Sequence, residues 1–388
     1  MTLDNIAYWA QRKGLDLIAT GDCLQPQWLA EIEDLTVETE PGWRMPKPAF
    51  ERSVHARLPR ALRRPLRFVL STEVNCAPAG TDPVRGLHQL LYFPSVTVAR
   101  DFAGWAAQLG DLHEGRPTLA ISARQLLKET ARFDRVHQVA AHVMNPWFSA
   151  LGVVGGGTSL EQVYGEELPR LLAVETGLTA NPEMCRRVPS LDRFGLFSCS
   201  DAPSLEKLGR ECTLLDIQAG YDFLMAALRA GSGDQVRGLL KVPLESTRHH
   251  LNWCSPCQTS FDAQACPRCG RALTMGSRDR LPKLDGVRPE PAWPAKTPPC
   301  EVLRPLAWII AGVVDRNPDS AGVKKAEEEL INQLGQPERF ILTRATPEEL
   351  LRVTKPEIAA AILNQRTGAV SHRPEAGHSL LGQATFGF

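Results

Sequence analysis

The chain has 388 residues, of which 43% are hydrophobic and 23% are charged. This length suits two or three domains, and the composition is that of an ordinary globular protein. The 44 Lys and Arg side chains equal the 44 Asp and Glu side chains in number, so no overall basic field points to nucleic acid, although a local patch can still bind it. No apolar run reaches the roughly 18 residues that a membrane span requires.

The cysteines indicate a reducing compartment. Six of the ten are scattered along the chain without a pairing pattern, which is not typical of a disulfide framework. The residues that follow Met1 contain neither the basic stretch nor the apolar stretch of a signal peptide. We therefore expect a cytoplasmic protein that does not act on membranes, and the sequence identifies no protein partner.

Short apolar runs predict buried strands within residues 1–240. These runs are 15–19, 67–71, 90–93, 118–121, 138–141, 171–174 and 195–198. Amphipathic stretches such as 98–109 and 204–209 predict helices between several of them. Repeated strand–helix units predict an α/β architecture with a parallel sheet, closed into a barrel.

Polar side chains follow five of these predicted strands. They are Asp22, Glu73, His142, Glu175 and Asp201. In an α/β barrel the carboxyl ends of the strands converge on one face, which carries the active site. Carboxylates and an imidazole placed in this way predict a metal or acid–base site on that face.

A local basic patch lies between two of the predicted strands. Six arginines fall within sixteen residues: Arg52, Arg57, Arg60, Arg63, Arg64 and Arg67. Such a patch either contacts a nucleic-acid backbone or forms a solvated helix face.

Four cysteines have the spacing of a zinc site. Cys254 and Cys257 form one C-x-x-C pair, and Cys266 and Cys269 form a second pair eight residues later. Two such pairs give a tetrahedral Zn²⁺ four thiolates at about 2.3 Å, and Gly270 suits the turn that follows. Four thiolates leave no open coordination position, so this zinc is expected to be structural.

The remainder of the chain divides by composition. Residues 241–285 hold the zinc module, residues 286–300 form a Pro-rich linker, residues 301–370 have helical patterns, and residues 371–388 form a Gly-, His- and Ser-rich tail. A helix that opens near Ser320 could present backbone N–H groups with Lys324 and Lys325 to a phosphate, although a plain helical cap is the more common explanation.

Several segments, in a fixed order, carry a resemblance to a known family. They are 19–22 (Ala-Thr-Gly-Asp), 71–74 (Ser-Thr-Glu-Val), 141–148 (Ala-His-Val-Met-Asn-Pro-Trp-Phe), 174–178 (Val-Glu-Thr-Gly-Leu), 200–202 with 207–211, the four cysteines with 271–274, and 366–370 (Arg-Thr-Gly-Ala-Val). Over nearly its whole length the chain resembles endonuclease Q, a family of DNA-repair nucleases built on the polymerase and histidinol phosphatase (PHP) fold.

The resemblance implies both the fold and the site. It implies a distorted PHP-type βα barrel in residues 1–240, the four-Cys zinc module, and a C-terminal helical region of the helix-hairpin-helix type. Asp22, Glu73, His142 and Asp201 are then expected to be catalytic and to bind divalent ions (Mg²⁺, Mn²⁺ or Zn²⁺), with Glu73 placed to bridge two ions. His88 lies in a family-like segment, where a strand-edge hydrogen bond is slightly favoured over a ligand role.

The resemblance also implies the reaction. The family cuts the phosphodiester on the 5′ side of deaminated bases (uracil, hypoxanthine, xanthine) and abasic sites, so the expected partner is DNA that contains such nucleotides. A deaminated base would have to leave the duplex stack and enter a pocket. Trp147 and Phe148 could stack on that base, although packing in the barrel core is the more common role of such residues.

Two features depart from the family pattern. Family members begin with a strand that carries a His-x-His pair of metal ligands, whereas the segment after Met1 aligns with the helix that follows that strand. The neighbours of the missing strand are expected to expose an unpaired edge. The family also has a His after the Asp-Ala of its last metal motif, where this chain has Pro203, which offers no donor atom.

These departures leave three functions open. The first is a metal-dependent endonuclease on damaged DNA. The second is a non-catalytic damaged-DNA-binding relative or an inactive truncated homologue. The third is a PHP phosphoesterase on a small molecule, which has no evident need of a zinc module or a helical C-terminal region.

Overall fold

Helices and strands alternate along most of the chain in the computed structural model, which describes residues 2–368 and 384–387. The helices are α1 (Leu3–Lys13), α2 (Pro26–Leu35), α3 (Pro48–Ala56), α4 (Val96–Ala106), α5 (Ala123–Thr130), α6 (Leu160–Tyr164), α7 (Pro182–Arg186), α8 (Tyr221–Ala230), α9 (Ser277–Arg280), α10 (Leu306–Val314), α11 (Ala321–Leu334), α12 (Glu338–Thr343), α13 (Pro347–Val353) and α14 (Pro356–Gly368). The strands are β1 (Leu17–Ala19), β2 (Thr36–Glu40), β3 (Trp43–Pro46), β4 (Arg67–Cys76), β5 (Leu87–Phe93), β6 (Thr118–Leu119), β7 (His137–Ala140), β8 (Val174–Glu175), β9 (Leu196–Phe197), β10 (Cys212–Leu215), β11 (Val236–Lys241), β12 (Asn252–Cys254), β13 (Thr259–Phe261), β14 (Cys300–Val302) and β15 (Ala384–Gly387).

One large mixed sheet organises the molecule, in the order β14-β11-β10-β15-β1-β4-β5-β7-β8-β9. Strands β1 and β4 are parallel, as are β7, β8 and β9, but β5 is antiparallel to both β4 and β7. The connection from β4 to β5 has no long crossover helix, so it can join only antiparallel strands. The predicted α/β class is therefore confirmed, whereas the prediction of an all-parallel sheet is wrong.

The sheet curves until β9 lies beside β10. The Ser198 N–H, just after β9, donates to the Thr213 hydroxyl on β10 (3.0 Å), which donates in turn to the Ser198 carbonyl (2.9 Å). Among the described residues these side-chain bonds replace a backbone ladder between β9 and β10. The sheet is thus barrel-like, while a closed PHP-type barrel remains part of the functional proposal below.

Strand β15 lies where the sequence predicts an unpaired edge. It pairs in parallel with β1, with Phe386 opposite Leu17, and antiparallel with β10, with Phe386 opposite Thr213. The edges of β1 and β10 are therefore covered by the C-terminal strand, and the prediction that they stay unpaired is wrong. Apart from this strand, the predicted tail lies outside the described residues.

Alternating side chains cover both faces of the sheet, as strand geometry requires. On β1, Leu17 and Ala19 belong to an inner cluster with Val69 and Tyr92, whereas Ile18 faces an outer cluster beneath the helices. Both clusters are almost fully buried, and their burial supplies the main force that holds the sheet to its helices.

Several predicted elements are shorter than the sequence suggests, among them the runs 15–19, 118–121 and 195–198, which form strands only at 17–19, 118–119 and 196–197. The apolar run 171–174 forms a strand only at its end, where β8 begins at Val174. The predicted helix 204–209 is a single 3₁₀ turn, Leu205–Lys207, because Gly209 turns the chain with a φ of +69°. The predicted helix 98–109 matches α4 closely.

The chain leaves the large sheet for the four-Cys module and then returns to it. Strands β12 and β13 form a hairpin in the module, and β14 then pairs in parallel with β11. The Pro-rich stretch before β14 is attached to the α/β region, since the Arg288 N–H donates to the Arg187 carbonyl (2.8 Å).

Helices α10 to α14 follow as a bundle. The Lys13 ammonium of α1 forms buried ion pairs with Glu327 of α11 (3.3 Å) and with Glu338 of α12. These bonds join the bundle to the first helix. None of the helices described is both long and apolar enough to cross a bilayer.

Candidate functional site

A cavity of about 380 Å³ lies at one end of the large sheet. All four predicted ligands line it: Asp22, Glu73, His142 and Asp201. Asp22 lies three residues after β1, His142 two residues after β7, and Asp201 four residues after β9. Glu73 differs, because β4 runs on to Cys76 and Glu73 therefore lies within the strand, not past its end.

The backbone is strained at three of these positions. Asp22, His142 and Asp201 have φ values of +46°, +28° and +40°, a region that residues with a Cβ rarely occupy. Such conformations cost of order 1–3 kcal/mol each and persist where the surrounding structure over-determines them. Three strained residues around one cavity are typical of a functional site.

Glu73, His88 and His142 form a compact group whose ligand atoms all lie within 4.8 Å of one another. The His88 Nδ1 is 2.6 Å from the Glu73 Oε1, and the His142 Nε2 is 3.4 Å from the same oxygen. His88 does not line the cavity, but its Nδ1 also lies 3.2 Å from the His142 Nε2, so it does more than the strand-edge hydrogen bond that the sequence favours. The sequence signal for it was the family-like segment 87–92.

The charges of this group are coupled. Burial opposes ionisation of Glu73, but hydrogen bonds from His142 and His88 outweigh it and hold the pKa of Glu73 well below its ordinary value. Burial lowers the pKa of His88. Burial also acts to lower the pKa of His142, yet the hydrogen bond to Glu73 and the nearby carboxylates raise it to about 9.

Glu175 stabilises the backbone of His142. Its Oε2 accepts a hydrogen bond from the His142 backbone N–H at 2.7 Å, and burial raises the pKa of Glu175 to about 7. Gly177, two residues on, leaves no room for a side chain, since an added Cβ would lie 2.4 Å from the His142 Cβ. The conformation of His142 is thus fixed by its neighbours.

Asp22 and Asp201 line the same cavity but lie outside the compact group of three. Burial raises the pKa of Asp22 to about 6, against the opposing charge of Arg116. Arg116 is a residue that the sequence analysis missed; its Nε is 3.1 Å from the Glu73 Oε1. It stands in a loop without a motif, so no sequence pattern marks it.

A larger cavity of about 700 Å³ adjoins the first, and Asp201 and Leu208 line both. Its walls come from α1, from residues 242–249 at the start of the four-Cys module, and from the first helices of the C-terminal bundle. Trp9 and Trp308 contribute aromatic surface, and Arg248 contributes charge. The cavity therefore lies where three regions of the chain meet.

Trp147 and Phe148 pack against protein side chains. The Trp147 ring lies 4.8 Å, centroid to centroid, from the ring of His249, which lies 5.2 Å from the ring of Trp253 in the four-Cys module. Phe148 stacks on His88 with ring centroids 4.4 Å apart. Packing is the more common role of such residues, and it is the role that both have in the structure.

The four cysteines lie together. The Cys254 and Cys269 sulfurs are 3.6 Å apart and those of Cys257 and Cys266 are 3.8 Å apart, and all four sulfurs lie within 4.8 Å of one another. A tetrahedron with metal–sulfur bonds of about 2.3 Å has sulfurs about 3.8 Å apart. Gly270 has a φ of +70°, the turn conformation that the sequence predicts there.

The basic candidates are partly engaged within the protein. Arg57 pairs with Asp4, and Arg67 pairs with Glu40 at 3.4 Å. Arg52, Arg60 and Arg63 are exposed. At the start of α11, Lys324 pairs with Glu206 (3.0 Å) and Lys325 pairs with Glu329 (3.8 Å). Whether any of these residues contacts DNA stays a prediction.

Sequence comparison finds two related proteins of unassigned function. The chain is 26% identical over 391 residues to the uncharacterized protein YqxK of Bacillus subtilis, which covers 97% of this chain and 91% of YqxK. It is 29% identical over 219 residues to the uncharacterized protein MJ0043 of Methanocaldococcus jannaschii, which covers 53% of this chain and 27% of MJ0043. No protein-family model matches the chain.

Structural comparison is more informative. The lesion-specific endonuclease PfuEndoQ from Pyrococcus furiosus superposes with a TM-score of 0.77 at 26% identity, covering 95% of this chain and 86% of that one. Endonuclease Q in complex with a 27-mer duplex substrate, with an abasic lesion at the active site, superposes with a TM-score of 0.79 at 26% identity, covering 95% and 87%. The chain has an endonuclease Q-like fold, as the resemblance of its motifs implies.

Proposed function

We propose that this chain is a metal-dependent endonuclease of DNA repair that cuts the phosphodiester on the 5′ side of a deaminated base or an abasic site. The observation that carries the proposal is the similarity, across 95% of the chain, to a lesion-specific endonuclease and to an endonuclease Q complex with an abasic duplex. A PHP-type barrel in residues 1–240 and a cytoplasmic location are part of the same proposal.

Asp22, Glu73, His142 and Asp201 are the proposed ligands of a divalent ion, with His88 beside them. Two observations support the fit: the Nδ1 of His142 is buried without a hydrogen-bond partner in the described residues, and the ligand atoms of Glu73, His88 and His142 converge. Oxygen and imidazole donors suit Mn²⁺, and the carboxylates also suit Mg²⁺. When bound, such an ion lowers the pKa of a water molecule and neutralises charge on the scissile phosphate.

The protein residues have their own part in the reaction. Glu175 holds the backbone of His142, so the imidazole keeps its direction toward Glu73. The positive φ of Asp22 and of Asp201 places both residues in the wall of the cavity. A site fixed before the substrate arrives loses little energy to reorganisation when charge develops on the phosphate.

The larger cavity is the proposed receptor for the damaged nucleotide. A base in a duplex must leave the stack before its altered edge can be read, and abasic or mispaired sites leave it at the lowest cost. The cavity adjoins the proposed metal site through Asp201, and its walls carry aromatic side chains together with basic and acidic ones. A nucleotide held there would place its 5′ phosphodiester near the carboxylates.

The proposed metal of the four-Cys module is a structural Zn²⁺. Its four thiolates would occupy every coordination position, so the ion would stabilise the module and take no part in hydrolysis. The module forms one wall of the larger cavity through the segment around His249.

A non-catalytic damaged-DNA-binding relative is the second candidate. Pro203 favours it, because this exposed residue lines the larger cavity at the position where the family pattern has a metal-binding His. The same candidate covers an inactive homologue. In this second candidate the larger cavity would still receive the damaged nucleotide, but no metal-dependent hydrolysis would follow.

A strand-cleavage assay with matched variants separates the two candidates. We expect the wild-type chain with Mn²⁺ to cut end-labelled DNA that carries one uracil, hypoxanthine or abasic site. Glu73→Ala and Asp201→Ala should abolish cutting, and Asp134→Ala, an exposed carboxylate outside the cavity, should not. Residual metal-dependent cutting by both site variants would refute the site, and lesion binding without cutting would support the second candidate.

A further inference from the structure

The loop 110–117 brings a positive side chain to the acidic cavity. This loop is the last part of the connection from α4 to β6, and β6 pairs in parallel with the end of β4. The Asn75 N–H of β4 donates to the Pro117 carbonyl at 2.9 Å, so the loop is fastened two residues beyond Glu73. Arg116 precedes this anchor and is therefore held beside Glu73.

Arg116 makes an isolated contact. Its Nε is 3.1 Å from the Glu73 Oε1, its side chain is 48% exposed, and no second ion pair of Arg116 occurs in the described part of the chain. Arg186 shows what a structural arginine looks like here: it is fully buried, and its guanidinium donates to the Thr297 hydroxyl and to three backbone carbonyls. Arg116 thus keeps most of its donors free for another acceptor.

Acidic side chains outnumber basic ones in the wall of the cavity around Arg116, where His113 and His142 are the other described lining residues that can carry positive charge. Four carboxylates line the cavity: Asp22, Glu73, Glu175 and Asp201. Among the described lining residues, Arg116 is the single Lys or Arg. A DNA phosphate that enters this cavity would meet repulsion from the carboxylates unless positive charge is supplied.

We propose that Arg116 alternates between Glu73 and the DNA phosphate: it covers the Glu73 carboxylate before a metal ion binds, and then binds the phosphodiester next to the lesion. This inference rests on the proposed function, since it needs a divalent cation at Glu73 and DNA in the cavity. A guanidinium suits the second role because its paired N–H donors match two phosphate oxygens.

The first consequence concerns the metal. The guanidinium and the ion compete for one carboxylate oxygen, so removal of the arginine should strengthen metal binding. The test compares Arg116→Gln with Arg116→Lys and with the control Arg132→Gln, an exposed arginine whose partner is Glu129. We expect Mn²⁺, titrated by calorimetry, to bind Arg116→Gln about two- to fivefold more tightly than wild type, the scale of one exposed ion pair.

The second consequence concerns the DNA. In the presence of Ca²⁺, binding of the end-labelled abasic duplex is measured against salt, and the same samples are run on a gel to detect cutting. We expect Arg116→Gln to bind more weakly and to reduce the slope of log K against log salt by about 1, the signature of one lost phosphate contact. Arg116→Lys should restore most of the slope, and Arg132→Gln should match wild type.

Three results would overturn the inference. Unchanged Mn²⁺ affinity of Arg116→Gln would show that the arginine does not compete for Glu73. An unchanged salt slope would show that it does not reach a phosphate. A loss of Mn²⁺ affinity would show that it positions the ligands. None of these readouts requires cleavage, so a wild-type chain that binds but does not cut would contradict the proposed nuclease and leave the arginine test decisive.

Discussion

Among the residues that the structure describes, the four-Cys module and the acidic cavity are the two places that could hold metal, and they are built in opposite ways. The module draws its four sulfurs from one stretch, Cys254 to Cys269, and the sulfurs already have nearly tetrahedral spacing. The cavity draws its side chains from segments spread between Asp22 and Asp201, on strained backbone. The four-Cys site therefore needs only its own short segment to form, whereas the acidic cavity forms only when the large sheet is folded.

This difference determines how each site should fail. The module should fail locally, because its ligands and its metal depend on one hairpin. The cavity should fail through changes in its supports, because Glu73 and His142 are held by strands and loops far apart in sequence.

The largest effect is expected from loss of a thiolate. Cys254→Ser or Cys266→Ser should reduce bound zinc from one ion per chain to nearly none, since structural zinc sites are worth on the order of 10 kcal/mol in isolated modules. Residues 241–285 should become sensitive to protease while the sheet stays folded. Ser255→Ala, an exposed residue between the cysteines, is the control. Unchanged metal content, measured by mass spectrometry, would disprove the zinc site.

Removal of the Lys241 ammonium should lower the stability of the part of the sheet that supports the cavity. This buried ammonium pairs with Glu211 and also donates to the Gly177 carbonyl at 2.7 Å, beside His142. Lys241→Met should cost about 3–5 kcal/mol of unfolding free energy, because it leaves a buried carboxylate without its partner. Urea unfolding measures the loss.

A double variant provides the control for that prediction. Lys241→Met combined with Glu211→Leu removes both charges, so it should be less destabilised than Lys241→Met alone. The single variant Glu211→Leu is measured as well. If the stability losses of Lys241→Met and Glu211→Leu add up to the loss of the double variant, the ion pair does not hold this part of the sheet together.

A single methyl group at Gly177 should damage the cavity. An added Cβ would lie 2.4 Å from the His142 Cβ at a φ of +64°, so His142 must move. Gly177→Ala should lose about 2–3 kcal/mol of stability and nearly all cleavage. Gly80→Ala is the control, because Gly80 also has a positive φ but an added Cβ meets nothing within 4 Å. Equal losses in the two variants would mean that strain, and not displacement of His142, is responsible.

The smallest effect is expected at His249, whose ring lies between the rings of Trp147 and Trp253. Burial, aided by the charge of Arg248, lowers the pKa of His249 to about 4, below the ordinary value of 6.5. The unfolded chain therefore takes up the proton first as the pH falls, so stability is full above pH 6.5 and declines below it. Between pH 6.5 and 5 the loss should reach at most about 2 kcal/mol. Urea unfolding of wild type and His249→Phe checks this; identical pH profiles would contradict it.

The sequence predicts these two regions with unequal success. The cysteine spacing is local, so it predicts the four-sulfur cluster directly. The strand ends identify Asp22, His142 and Asp201 as neighbours because parallel strands bring their carboxyl ends together. Glu73 also lies in the cavity, although it lies within a long strand that pairs antiparallel with β5.

Other parts could not be predicted because they depend on tertiary contacts. His88 reaches Glu73 only through the antiparallel pairing of β4 and β5, and a parallel sheet would have placed it elsewhere. Arg116 depends on the pairing of the two-residue strand β6. The cover of the β1 edge by β15 joins residues more than 350 positions apart, a distance over which no periodicity gives information.

The most direct test of the proposed nuclease is a map of the cut. A duplex with one abasic site is labelled at the 5′ end of the damaged strand and incubated with the chain and Mn²⁺, beside the same duplex without the lesion. We expect one product that ends on the 5′ side of the lesion, is lost with EDTA and is absent from the undamaged duplex. Binding to the abasic duplex without any product would rule out the proposed nuclease and would make the chain a lesion-recognition protein.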